Sequence, residues 1–305
     1  MDGTELTLAL TTLIAAAVTG AVGYGFSSLT VPIALLFLSN KILNPALVLV
    51  AIVLNGYVLL VNRNGLSNIW KRVLPVLLGL IPGITVGSYI LFSANAEWLK
   101  LITYVALLPL ILLQAAGVRR PIHSERAVGV PLGAGVGVLY SVTTISGPPM
   151  ALLFNNQGLV KEEFRAAMAL LRVVQALVAA VTYYFLGLFS VESSRVMFNL
   201  LPSVLIGVPV GAFLIRRIQS ETFRRLCMSY DAWIVGYGLS RALLTLQLLV
   251  TSVAYGVWAV IILADVYLLS LYFAKKREVE IIASSVEDGA VRRQQNKPQI
   301  GNEFS

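Results

Sequence analysis

The sequence predicts an all-α polytopic membrane protein: an inverted repeat of a re-entrant, broken helical hairpin plus three spans, with one extra C-terminal span. Three observations predict it: an apolar composition, a series of long apolar runs separated by basic clusters, and a duplication of short motifs. Hydrophobic residues make up 57% of the 305 and charged residues only 12%, with a mean hydropathy of +0.82. A soluble domain carries roughly 25% charged residues, so water cannot be the solvent for most of these side chains. A net charge of +8 would suggest nucleic acid in a soluble protein. Here Lys and Arg fill short gaps between apolar runs, as in the cytoplasmic loops of membrane proteins, and no nucleic-acid partner is implied.

A spanning helix needs ~20 mostly apolar residues. Apolar runs fall at 6–38, 45–62, 73–93, 98–116, 127–154, 166–188, 196–215, 226–246 and 252–274. Basic clusters lie at Arg63, Lys71 and Arg72; at Arg119, Arg120 and Arg126; at Arg216, Arg217, Arg224 and Arg225; and at Lys275, Lys276 and Arg277. The positive-inside rule puts all four in the cytoplasm. Two runs separate the first cluster from the second, which is consistent. Three separate the second from the third, which would place the third outside. The conflict vanishes if 127–154 dips into the bilayer and returns. That run is 28 residues long and is broken by Ser146-Gly147-Pro148-Pro149. Run 6–38 has 33 residues and is interrupted by Gly23, Gly25, Ser27, Ser28 and Pro32. Read as a second hairpin, it puts the N-terminus outside and the C-terminus inside the cell membrane. The acidic start lacks the basic region of a cleaved signal peptide, so the first run is expected to be retained.

The hairpins are related. PIALLF at 32–37 matches PMALLF at 149–154 in five of six positions, 117 residues apart. At the same offset Gly20 falls on Gly137 and Ser27 on Thr144, and GITVG at 83–87 resembles GVPVG at 207–211. The predicted units are 1–118, 119–247 inverted with respect to it, an extra span at 248–274, and a polar tail at 275–305 expected to be disordered and cytoplasmic. Basic residues at the start of the tail can touch lipid headgroups.

Irregular backbone at membrane depth survives only inside protein or against a watery cavity. Inverted repeats with broken helices meeting at the midplane recur in secondary transporters. A helix N-terminus offers free N–H groups and partial positive charge to an anion. Pro32 and Pro149 are placed to open the second half-helices, where a missing N–H is no loss. Gly25, Ser27, Ser28, Thr30, Thr143, Thr144, Ser146 and Gly147 therefore form a candidate site for a small anion. The competing reading of these residues is close helix packing.

Intramembrane ionisable residues are costly and usually paired or functional. Arg172 and Gln175 lie in run 166–188, and Arg172 falls on Asn55 at the 117-residue offset. Arg172 either fixes an oxyanion through two parallel hydrogen bonds or snorkels, since Arg165 is only ~10 Å of helix away. Asp265 either pairs with Arg241 or, like Asp231, carries protons for coupling; Na+ is the other candidate coupling ion. Trp98, Tyr183, Tyr184 and Trp233 read as interfacial anchors. With one His (His123), one Cys (Cys227), no H-E-x-x-H and no phosphate-binding loop, neither metal nor cofactor is implied, and ATP-driven transport by this chain is not expected. The alternatives to a transporter are a membrane scaffold or assembly factor and, less well supported, an intramembrane enzyme.

The glycine-rich hairpin ending in Pro32, the SGPP at 146–149 and the KEEFR at 161–165 resemble the TauE/SafE family of sulfite and sulfoacetate exporters, over about residues 6 to 246. Members are expected to have seven to nine spans from a duplicated unit. The resemblance implies secondary transport of small sulfur-containing anions such as sulfite, thiosulfate or organosulfonates. It rests on the SGPP and Arg165 positions; the first apex departs from it, with SLTVP where the second has ISGPP.

Overall fold

A computed structural model describes residues 3–22, 25–115, 125–147, 149–150, 154, 161–214 and 220–295. The described residues form helices and no strand, in the order α1 (Gly3–Val22), α2 (Phe26–Ala34), α3 (Asn40–Val61), α4 (Leu66–Ser93), α5 (Ala96–Ala115), α6 (Glu125–Thr143), α7 (Lys161–Phe185), α8 (Val191–Leu214), α9 (Ser220–Thr245) and α10 (Thr251–Gln295). Five segments are long and apolar enough to cross a membrane: Asn40–Val61, Ile69–Ser93, Glu163–Phe185, Val191–Gly211 and Thr251–Ala274. Large apolar side chains cover the outside, among them Leu60, Tyr89, Phe185, Ile206 and Leu263. So much exposed apolar surface requires lipid as its solvent, and the chain is an all-α polytopic membrane protein.

Both long interrupted runs are broken helices. The first breaks before Gly25, whose φ of 117° is open to glycine but strained for other residues. The second breaks after Thr143, and the backbone is helical again at Gly147, Pro149, Met150 and Phe154. Pro149 sits in the first turn after this break, as expected. Pro32 does not open its half-helix: α2 starts at Phe26, and Pro32 lies in its second turn. Glycine at 25 ends the preceding conformation, so α2 begins before the proline is reached.

Small residues dictate which helices touch. A Cβ on Gly79, Gly83 or Gly87 of α4 would collide with the backbone of Val130, Ala134 or Val138 of α6. The two helices therefore run side by side in the same direction. A Cβ on Gly207 or Gly211 of α8 would meet the carbonyls of Leu13 or Ala17 of α1, and Asn199 donates to Glu5, so this pair is also parallel. α3 packs on α7, α4 on α7 and α3 on α8. α9 joins α5, α2 and α10. Two apolar cores result, one centred on α1, α2, α5, α8 and α9, the other on α4, α6 and α7, with α3 contributing to both.

Contacts also fix which helix ends share a face. Lys41 at the start of α3 donates to the carbonyl of Phe92 at the end of α4. Asn40 and Asn44 reach the end of α6, and Tyr183 near the end of α7 reaches Ser141. α8 follows α7 after a short connection, so its start lies on that face, and so does the start of its parallel partner α1. The starts of α4, α6 and α7 lie on the opposite face.

Several expectations need correction. Tyr183 is not an interfacial anchor: it is fully buried, with its hydroxyl on the carbonyl of Ser141. Trp233 is tied to Asp265 through its indole N–H at 3.0 Å. Among the described residues no ion pair joins Asp265 to Arg241, which lines a separate cavity with Glu97, Lys100 and Tyr237. The 275–305 tail starts as helix rather than disorder, since α10 continues to Gln295. Lys, Arg, Glu and Ala are good helix formers, and no proline intervenes before Pro298. Residues 296–305 lie outside the described residues.

Candidate functional site

The two helix breaks face one another across a single cavity of about 20 Å³. Its walls are Gly25, Phe26, Ser27 and Ser28 from the first break; Tyr140, Thr144, Ile145, Ser146 and Gly147 from the second; Ala51, Leu54 and Asn55 from α3; and Arg172 from α7. Among these residues Arg172 alone is ionised.

The two breaks present different chemistry. α2 begins at Phe26 with no side-chain cap at Gly25, and its hydrogen-bond ladder starts with Leu29 N–H on the Gly25 carbonyl at 3.1 Å. The N–H groups of Phe26, Ser27 and Ser28 thus have no partner within the helix. Beyond the second break the ladder starts with Met150 N–H on the Ser146 carbonyl at 3.2 Å. Pro148 and Pro149 carry no N–H, so Gly147 supplies the only amide of that first turn. Arg172 supplies positive charge on the side where amides are scarce.

The second break is held open by side chains. When α6 stops at Thr143, the carbonyls of Ser141 and Val142 lose their helical partners. Asn44 donates to both, at 3.1 and 2.6 Å; Asn40 donates to Val142 at 3.1 Å; and Tyr183 donates to Ser141. Thr144 takes a φ of 55°, an unusual conformation for a β-branched residue. Its hydroxyl donates to the carbonyl of Thr143 at 2.7 Å, and Ile145 N–H donates to Thr143 Oγ1 at 3.1 Å.

The candidate residues separate as follows. Gly25, Ser27, Ser28, Asn55, Thr144, Ser146, Gly147 and Arg172 meet at the cavity. Asn55 and Arg172, equivalent by offset, line it together. Arg172 is buried rather than extended to an outer surface. Gln175 stands behind the wall and accepts the Ser146 hydroxyl at 2.7 Å; its buried Nε2 has no hydrogen-bond partner. Thr143 turns back on its own helix, donating to Leu139 at 2.7 Å. Thr30 is buried one turn along α2, its hydroxyl unpartnered and away from the cavity. Asp231 and Asp265 lie on α9 and α10, outside it.

Sequence reasoning missed Tyr140, whose buried hydroxyl has no hydrogen-bond partner at the cavity wall. Its position one turn before the break was the available signal. Asn40 and Asn44 were also missed, although two asparagines opening an apolar run are unusual enough to mark.

No curated protein and no solved structure matches the chain. Residues 8–235 match the family model described as Sulfite exporter TauE/SafE, a stretch that includes both broken hairpins and stops within α9. On that match, and with a buried polar cavity between paired helix breaks, the chain belongs to the sulfite exporter TauE/SafE family.

Proposed function

We propose that the chain is a secondary transporter that binds a small oxyanion, of the sulfite or organosulfonate class, between its two helix breaks. The carrying observation is the meeting of α2's uncapped amides, the Gly147 amide that opens the second half-helix, and the Arg172 guanidinium at one buried cavity. Amide dipoles and a guanidinium in a low-dielectric site both favour negative charge. A metal cation or an apolar ligand would gain nothing from them. The cavity is little larger than the ~10–15 Å³ one water needs, so a four-atom oxyanion enters when the hairpins part. That requirement fits a carrier resting in a closed state.

The inverted relation between 1–118 and 119–247 belongs to the same proposal. It is supported by the exchange of partners: the first hairpin's α1 packs on α8 of the second unit, and the second hairpin's α6 packs on α4 of the first. The hairpins rise from opposite faces, as alternating access between two repeats requires. The face bearing exposed Arg63, Lys71 and Arg72 is assigned to the cytoplasm, which leaves the N-terminus outside.

Binding of sulfite, thiosulfate and short sulfonates to the purified protein, followed by calorimetry or thermal shift, tests this. Arg172→Ala is expected to weaken oxyanion binding about tenfold to a hundredfold, the value of one or two charge-assisted hydrogen bonds, without loss of fold. Undiminished binding in that variant would remove the site. A scaffold would keep its role in the double variant Arg172→Ala, Ser146→Ala, whereas a transporter would lose uptake in proteoliposomes.

A further inference from the structure

Asp231 is the most isolated ionisable group among the described residues. It is completely buried, and neither carboxyl oxygen has a hydrogen-bond partner. Asp265 differs. One of its oxygens accepts the Trp233 indole, and it lies in the seam between α9 and the peripheral α10. Ser240 and Gly236 of α9 face that seam, Ser240 donating to Ala254 and Gly236 packing on Trp258. Asp231 is turned away from it. Its neighbours along α9, Ala232, Val235, Leu239 and Ala242, belong to the core shared with α1, α2 and α5.

Its depth links it to the anion cavity. The Tyr104 hydroxyl donates to the Pro32 carbonyl at 3.1 Å, and the same ring lies against Gly238, so Pro32 and Gly238 stand at one level. Leu35 to Phe37 and Arg241 to Thr245 border a common cavity, so α2 and α9 run toward the same face. Descending from Gly238 to Asp231 covers ~10 Å, and from Pro32 to Phe26 ~9 Å. The carboxyl therefore stands level with the first turn of α2, on a helix packed against it.

Among the described side chains no cation offsets it there. α2 carries no titratable side chain, and α1 offers only Glu5, at its start, among described side chains. On α5, Glu97, Lys100 and Tyr104 lie at or above the Pro32 level; on α9, Tyr237 lies at that level and Arg241 above it, Tyr230 is exposed beside Asp231, and Glu221, Arg224 and Arg225 lie toward the start of the helix, ~9–15 Å before Asp231. On α10, Asp265 sits in the other seam and Tyr255 and Tyr267 are exposed. A carboxylate in such surroundings costs several kcal/mol, and a proton removes that cost.

We propose, building on the oxyanion reading above, that Asp231 is the proton carrier of the transport cycle. It holds a proton in the closed arrangement and exchanges it with water when the hairpins part, so one proton crosses in each cycle. Asp265 is a structural contact of α10 and does not couple.

The test uses the full chain in proteoliposomes, with sulfite as probe and the membrane potential clamped. A pH step is imposed in each direction, and internal pH is followed with a trapped dye. One proton per cycle lets a one-unit step drive about tenfold sulfite accumulation. Asp231→Asn keeps the shape and neutrality of the protonated acid. It should retain sulfite exchange without a gradient, lose gradient-driven accumulation and lose sulfite-dependent proton flux. Asp265→Asn should retain all three. Gradient-driven accumulation by Asp231→Asn, or wild-type accumulation driven by Na+ but not by pH, overturns the assignment while leaving the oxyanion site standing. Absence of any sulfite, thiosulfate or sulfonate exchange in the wild type overturns the oxyanion reading, and the coupling falls with it.

Discussion

At the scale of single residues, this membrane protein spends its polar groups on keeping one helix end exact. Two asparagines and one tyrosine occupy the carbonyls that α6 abandons when it stops. Lipid offers no water to take their place. Asn44 donates to two carbonyls at once, and each keeps a second donor, Tyr183 on Ser141 and Asn40 on Val142, so Asn44→Ala should cost about 0.5–1.5 kcal/mol for each hydrogen bond lost. The expected result is a lower melting temperature in detergent together with weaker sulfite binding, because Ser146 and Gly147 follow directly on the segment it holds. Normal stability and affinity would mean that Asn40, Tyr183 and the two threonines maintain the break without Asn44. Ser27, Ser146 and Gly147 could be picked out from sequence because helix breakers inside an apolar run are anomalous in themselves. Tyr140 and Asn40 carried only a weaker signal and Tyr183 none, because a tyrosine or asparagine at a helix end has common uses elsewhere. Only the fold shows which carbonyl each one meets. Tyr183 was misplaced for this reason: a tyrosine near a span end is an interfacial anchor until a neighbouring helix covers it.

At the scale of elements, glycine spacing sets partner choice. In lipid there is no hydrophobic drive between helices, so close backbone approach decides which pairs form. Gly133 of α6 lies against the Val76 carbonyl of α4, while Gly135, two residues on, has open space within 4 Å of where a Cβ would stand. Gly133→Val should therefore force α6 off α4, and Gly135→Val should be tolerated. The contrast is read as monodisperse yield by size exclusion and as thermal midpoint; equal behaviour of the pair would deny the packing role. The apolar runs and their interruptions located these helices from sequence, since length and hydropathy are local properties. Helix ends were harder. α2 starts at Phe26 because Gly25 adopts a positive φ, a choice that the nearby Pro32 obscures. α10 runs past its apolar portion because a charged stretch of good helix formers has no reason to stop.

At the scale of the whole molecule, counting positive clusters demanded that 127–154 enter and leave by one face, and the contacts at the helix ends are consistent with that demand. What parity could not supply was the exchange of partners between the two halves, which depends on contacts between residues far apart in the chain. That exchange is what brings both breaks to one cavity. If the halves are inverted, Thr4 before the first hairpin and Asn156 beyond the second break belong to opposite sides of the membrane. Single cysteines at these positions, introduced with Cys227→Ser, separate the possibilities in intact cells treated with an impermeant maleimide. Thr4→Cys should react from outside, and Asn156→Cys only after the membrane is opened. Labelling of both from the same side would place the two breaks at one face. An oxyanion held between opposed helix ends could then not pass from one face to the other by the hairpins opening in turn, and the transport mechanism would have to be sought elsewhere in the bundle.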